Sequence, residues 1–332
     1  MDIRCHIETW PFVRPFRFSG HVWTESEVIV VEICDGGQTG RGEACGVYYK
    51  QETPQGMVRQ VEAFVRDRPP FTRDDLLAHL PSGGARNALD CALWDLEARR
   101  ADVPVWRLAG QSEPKPLLTT YTLGADAPDA MVANAEQHPE ARCFKLKLVG
   151  DGLDAERVGA VRRRRPDAWI GVDGNQAFTP DSLKALVPTL LSADVRLLEQ
   201  PFPVGSEAWM AECRIGIPTA ADESAVELED LGRLREHFDM INLKLDKSGG
   251  LTRALQMAAE ARRLGFGLMV GNMGGTSLAM APAFVLAQVC DLADLDGPTV
   301  LAKDRSPGVS YIDGRIDCGE DVWGSRSAAS CG

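Results

Sequence analysis

The chain has 332 residues, 44% hydrophobic and 25% charged, a make-up that excludes a disordered or fibrous class. A formal net charge of −12 excludes the basic face that a nucleic-acid partner needs. No apolar run reaches the roughly 20 residues of a membrane span, and the acid-bearing start Met1-Asp2-Ile3-Arg4 lacks the apolar core of a signal peptide.

Nine scattered cysteines with no C-x-x-C pair suggest reduced thiols, and with them a cytoplasmic protein. The first elements read as mixed α and β. Val28–Ile33 is a β-branched run, Gly36–Gly40 a hairpin turn, and Arg41–Cys45 its return strand. Two helical stretches follow. The second, Gly84–Arg100, sets Ala85, Ala88, Leu89, Ala92, Leu93 and Leu96 at helical spacing on one side.

From about residue 117 short apolar runs alternate with helical segments. The runs are Leu117–Thr122, Cys143–Val149, Trp169–Asp173, Val195–Glu199, Pro218–Asp222, Met240–Leu245, Phe266–Val270 and Ala293–Asp296. Most end in a polar residue. Lys147, Asp173, Glu199, Asp222 and Lys244 follow one another at intervals of 26, 26, 23 and 22, and Asp294 comes 50 later, two units on. A period near 25 fits strand, turn and helix, and eight such units close into a β/α barrel. The dense basic run Arg162–Arg165 falls in one of the helices and reads as a solvated outer face. The tail after about residue 303 has little helical period and is expected to return to the first domain.

In such a barrel the active site lies at the C-terminal ends of the strands, where these ionisable residues fall. Asp173, Glu199 and Asp222 end three successive strands and would converge on one point. Three carboxylates together repel unless a cation sits among them, and an all-oxygen set suits Mg²⁺ or Mn²⁺. The plainer alternative, that each acid caps the next helix, does not account for three in register. Asn175 is a candidate supporting partner. Lys145 and Lys147 share one face of their strand by its period of 2. Burial, the like charge and a nearby metal would bring such a lysine from its usual high pKa toward ~7–8, suited to a base. Lys147 is read as the base and Lys145 as its tuning neighbour. Lys244 ends the sixth strand, roughly opposite the second, so a proton could leave one face of a carbon and return to the other. Lys247 is placed in the following loop. Asp294 and Asp296, again two apart, could hold a cationic substrate group, or could simply cap a turn.

The ordered set K-x-K, Asp, Glu, Asp, Lys resembles the muconate lactonizing enzyme subgroup of the enolase superfamily, and DLDGP with Asp294 and Asp296 looks like its dipeptide epimerases. The resemblance implies a (β/α)7β TIM-like barrel at 113–303 and an α+β capping domain from 1–112, to which 304–332 returns. It implies acid/base work on Lys147 and Lys244, metal binding on Asp173, Glu199 and Asp222, and ammonium recognition on Asp294 and Asp296. A dipeptide would lose its C-terminal α-proton to form an enediolate and regain one on the other face. Cap loops at about Arg17–Glu25 and Gly46–Glu52 would select the side chains. Members acting on alanyl-glutamate carry a basic residue where Trp23 falls here, so Trp23 points to an apolar or aromatic partner, although Arg17 or Lys50 could meet an acid.

Rivals on the same scaffold are an o-succinylbenzoate synthase or muconate cycloisomerase type of lyase and an N-acylamino acid racemase. Asp294 and Asp296 have no evident role with a substrate that lacks an ammonium. A non-catalytic barrel would be missing a base or ligand, and none is missing. The glycines at Gly36–Gly42 and Gly271–Gly275 lack dinucleotide-binding spacing. Single chain and homo-oligomer both stay open.

Overall fold

The computed structural model describes residues 1–324 apart from 19, 69 and 214. Cys331 and the end of the expected tail therefore lie outside the described residues. The chain opens with three antiparallel strands in spatial order, β1 (Asp2–Phe18), β2 (His21–Asp35) and β3 (Gln38–Ala44). Asp35 pairs with Gln38, so Gly36 and Gly37 form a two-residue turn, both at positive φ, the conformation that matches the twist of the flanking strands. Strand β1 was not legible from sequence. Its alternating Ile3, Cys5 and Ile7 are only half-buried, and its register shifts between Pro11 and Phe16.

Three helices cover this sheet: α1 (Pro54–Asp67), α2 (Arg73–His79) and α3 (Gly84–Ala101). Ile29, Val31 and Ile33 of β2 bury against Met57, Val61, Phe64, Leu76 and the predicted apolar side of α3. Strand β3 lies so close on α3 that a Cβ at Gly40 or Gly42 would run into the Ala92 or Ala88 carbonyl. The polar side of α3 is buried too. Arg86 donates to the Leu80, Ser248 and Gly249 carbonyls, and Asp90 accepts from Thr252 N at 3.0 Å and Oγ1 at 2.6 Å. One face of the helix thus serves the cap core while the other is hydrogen-bonded to the barrel.

After the short α4 (Val105–Leu108), the predicted run Leu117–Thr122 divides. Its first part is β4 (Leu117–Leu118) and its second begins the barrel strand β5 (Thr120–Leu123). Seven more parallel strands follow: β6 (Cys143–Lys147), β7 (Trp169–Asp173), β8 (Val195–Glu199), β9 (Thr219–Ala221), β10 (Met240–Leu243), β11 (Gly267–Val270) and β12 (Leu292–Ala293). They pair in sequence order, and a parallel bridge from Thr119 to Ala293 closes the ring. The outer layer holds α5 (Pro128–Glu136), α6 (Asp154–Arg164), α7 (Pro180–Ser192), α8 (Asp230–Leu234), α10 (Leu251–Arg263) and α11 (Ser277–Ala287), while the single turn α9 (Leu245–Ser248) is buried against α3. The protein is thus the expected TIM-like barrel with an α+β cap.

Of the basic run, only Arg163 and Arg164 are exposed. Arg162 donates to the Ala168 and Ala193 carbonyls, and Arg165 reaches the Ala141 carbonyl over the Phe144 ring. The solvated-face reading holds for half of it, because long basic stems can cover apolar surface while their heads bind carbonyls. Strands β13 (Ser310–Ile312) and β14 (Arg315–Asp317) form a hairpin whose second strand pairs with β4. Beyond it the Trp323 indole donates to the Arg41 carbonyl on β3 and Gly324 N to Asp95 on α3, both at 2.8 Å. The eight cysteines among the described residues are free thiols, and none of the described helices is long and apolar enough to cross a membrane.

Candidate active site

Strand ends place the charges. Lys145 and Lys147 point inward from β6, Asp173 and Glu199 end β7 and β8, Asp222 follows β9, Lys244 follows β10, and Asp294 and Asp296 follow β12. All eight are buried. Strands β6 and β10 stand four places apart in a ring of eight, hence across the barrel from each other. The acid-bearing strands fill one arc between them. Lys147 Nζ donates to Asp173 Oδ2 and Lys244 Nζ to Asp222 Oδ2, each at 2.7 Å, so one lysine stands at each end of that arc. The Asp294 end of β12 lies four strands from β8 and so faces Glu199 across the mouth. Lys145 spans the gap, bonded to Asp294 and 3.4 Å from Glu199 Oε2.

Carboxylate oxygens of Asp173, Glu199 and Asp222 come within 4.8 Å of one another. Burial, with Asp173 and Asp222 adding to it, pushes Glu199 up to about 7. Its Oε2 is buried without a hydrogen-bond partner among the described residues. A cluster of three buried acids, one oxygen of which has no hydrogen bond and only a 3.4 Å ion pair with Lys145, fits a hard divalent cation bound through oxygen.

The acids act on the lysines in turn. Burial does work against the ammonium, but Asp294, Glu199 and Asp173 outweigh it at Lys145, while Asp222, Glu199 and Asp173 do so at Lys244. Both are held above the usual lysine range, because the acids assigned to a cation face the lysines as well.

Lys247 is also placed differently. It lies in the single turn of α9, fully buried, and donates to Asp222 Oδ1 at 2.6 Å and to the Asn242 carbonyl at 2.9 Å. Burial and Lys244 hold it low, and together with Lys244 it keeps Asp222 well below the usual carboxylate range, against burial. Sequence reasoning also passed over Asn242, whose amide donates to Glu199 Oε1 at 2.6 Å. It sits two before Lys244, and the period of 2 that paired Lys145 with Lys147 would have found it. Glu223, beside Asp222, accepts from Asn175 Nδ2 at 3.3 Å and is pushed up to about 8 by burial, Asp222 and Asp173. Asn175 itself donates its backbone N–H to Asp173 at 2.8 Å. Asp296 accepts from Thr122 N at 2.6 Å and Asn272 Nδ2 at 3.3 Å, and Asp294 from Thr120 Oγ1.

A cavity of about 380 Å³ opens above these groups. Both predicted cap segments reach it. Val22, Trp23, Thr24 and Glu25 line it from the β1–β2 hairpin and Gly46, Tyr48, Tyr49 and Glu52 from the stretch after β3. Arg17 pairs with Asp126 at 3.0 Å and does not line the cavity, nor does the exposed Lys50. The second segment is tied to the barrel where Gly46 N donates to Asp246 Oδ1 at 2.8 Å. Burial raises Asp246 to about 7. An acid raised from 3.8 to about 7 binds its proton more tightly in the fold, so its stabilisation is complete below about 4 and is lost as pH rises through 7. Asp246→Asn keeps an acceptor for Gly46 and cannot ionise. Its melting temperature should therefore fall less than the wild type's between pH 5 and pH 8. Parallel melting curves for the two proteins would remove Asp246 as the cause.

Comparisons with known proteins agree with this arrangement. Residues 1–110 match the mandelate racemase/muconate lactonizing enzyme N-terminal domain, and 130–313 the enolase C-terminal domain-like family. The chain is 38% identical over 316 residues to the L-Ala-D/L-Glu epimerase of Escherichia coli K12, covering 95% of this chain and 98% of that one. It is 36% identical over 302 residues to an N-acetyl-D-glutamate racemase of Pseudoalteromonas, covering 90% and 95%. A crystal structure from Agrobacterium tumefaciens, an enolase family member described as having homology to dipeptide epimerases and holding sodium and L-Ala-L-Glu, superposes with a TM-score of 0.93. Its identity is 38%, over 97% of this chain and 99% of that one. The chain belongs to the mandelate racemase/muconate lactonizing enzyme family of the enolase superfamily and is an isomerase.

Proposed function

We propose that the chain is a dipeptide epimerase that inverts the α-carbon of the C-terminal residue by a two-lysine 1,1-proton transfer. The observation that carries this reading is the placing of Lys147 and Lys244 across the barrel, with the acid arc on one side of the line between them and Asp294 and Asp296 on the other. Asp173, Glu199 and Asp222 would hold Mg²⁺, with Mn²⁺ the alternative oxygen-seeking ion. Bound there, the ion supplies positive charge beside the substrate carboxylate and against the ammonium forms of the neighbouring lysines. Lys147 and Lys244 take and return the α-proton on opposite faces and exchange roles for the two diastereomers. Asp294 and Asp296 hold the dipeptide's ammonium, and Lys145 sets the charge between Asp294 and Glu199.

The rival is an N-acylamino acid racemase, in keeping with the Pseudoalteromonas relative. An acyl group brings no positive charge to the two acids, which favours the dipeptide. Incubation in D₂O with Mg²⁺ tests the choice. Dipeptides should gain deuterium at the C-terminal α-carbon and change configuration there. Turnover of N-acetyl amino acids but of no dipeptide would overturn it.

We further propose the division 1–112 with 304–332 and 113–303. The hydrogen bonds of Trp323 and Gly324 to the cap support it. The free thiols support a cytoplasmic location.

A further inference from the structure

We propose, resting on the dipeptide reading above, that the epimerised residue carries an apolar or aromatic side chain, in contrast to the glutamate of the E. coli relative's name. With lysines on its two faces, the α-carbon passes through a plane that stands between them. In that plane its carboxylate points to the acid arc and its peptide nitrogen to Asp294 and Asp296. The third in-plane direction lies along the barrel axis. The barrel interior below is packed, with Leu197, Ala220 and Met269 fully buried together, so the side chain rises into the cavity beneath the cap.

That roof is aromatic. Phe16, Val22 and Trp23 come from the β1–β2 hairpin and Tyr48 and Tyr49 from the segment after β3. The Trp23 and Tyr48 rings meet edge to face, 6.0 Å apart at 71°. The only lysines or arginines lining the cavity, among the described residues, are Lys145, Lys147 and Lys244, each ion-paired with an acid at the barrel mouth. The charges of the roof are negative, on Glu25, Glu27 and Glu52. Glu52 is engaged by Val47 N and Gly84 N, at 2.7 and 3.1 Å. Glu25 and Glu27 are exposed to water. A glutamate side chain lifted into this space would shed its hydration, meet no lysine or arginine that is not already ion-paired, and face like charges. An apolar or aromatic side chain would bury surface against the rings.

The test is kcat/KM of the wild-type enzyme with Mg²⁺ for L-Ala-L-Phe, L-Ala-L-Leu, L-Ala-L-Glu and L-Ala-L-Lys at one pH and ionic strength. Phe or Leu should exceed Glu and Lys by about 100-fold. A Glu or Lys dipeptide turned over as well as the better apolar one overturns the side-chain assignment and leaves the dipeptide reading standing. Absence of turnover for all four, with N-acetyl amino acids racemised, overturns both. Trp23→Arg places a cation in the roof and should raise the Glu-to-Phe ratio at least about tenfold. An unchanged ratio in a variant that still epimerises would overturn the roof as the source of discrimination.

Discussion

Lys147→Ala and Lys244→Ala should each lower the rate of epimerisation by about 10²–10⁴-fold, the usual weight of one general acid or base. The two losses should differ in kind. A variant with one base left can still pull the α-proton from the face that base addresses and return a deuteron to the same face. Each variant should therefore exchange the α-hydrogen of one diastereomer in D₂O without inverting it, and the two variants should prefer opposite diastereomers. The ring geometry dictates this contrast, because strands β6 and β10 lie across the barrel from each other. Each alanine also leaves an acid facing a lost partner, Asp173 in one case and Asp222 in the other. Thermal melts of both variants would separate lost chemistry from lost fold. Full epimerase activity in either variant, or exchange of the same diastereomer by both, would remove the two-base mechanism.

Chelation of divalent ions should abolish activity, by about 10³-fold or more, and Mg²⁺ should restore it. A second readout does not depend on catalysis. A ligand that binds only the native state stabilises it by about 2.7 kcal/mol at one hundred times its dissociation constant, so Mg²⁺ should raise the melting temperature of the wild type. In Glu199→Gln that rise should shrink, since a neutral amide replaces one of the three clustered carboxylates. The variant should also melt no lower than the wild type without Mg²⁺, because a neutral amide relieves repulsion from Asp173 and Asp222. An undiminished Mg²⁺ shift in Glu199→Gln would place the ion elsewhere.

Much of the site was legible before any fold was known. The interval near 25 from Lys147 to Lys244 is the length of one strand, turn and helix, so residues at that spacing must recur at the same height around a barrel. The period of 2 put Lys145 with Lys147 and Asp294 with Asp296 on shared faces. These are local regularities of backbone geometry, and a linear text preserves them. Lys247 and Asn242 escaped because one is buried by helix α9 turning inward and the other is polar in an otherwise apolar run. Trp23 could be placed near the site, whereas the commitment of Arg17 to Asp126 could not be foreseen.

Sequence alone determined the barrel, its cap, the acids, the lysines and the order in which they follow one another. Tertiary structure alone decided that the acids facing Lys145 and Lys244 raise them, that Lys247 grips Asp222, and that aromatic rings roof the cavity. The reason is physical. Spacing is a property of the chain, whereas the sign of a pKa shift and the charge of a cavity wall are sums over groups brought together from distant positions.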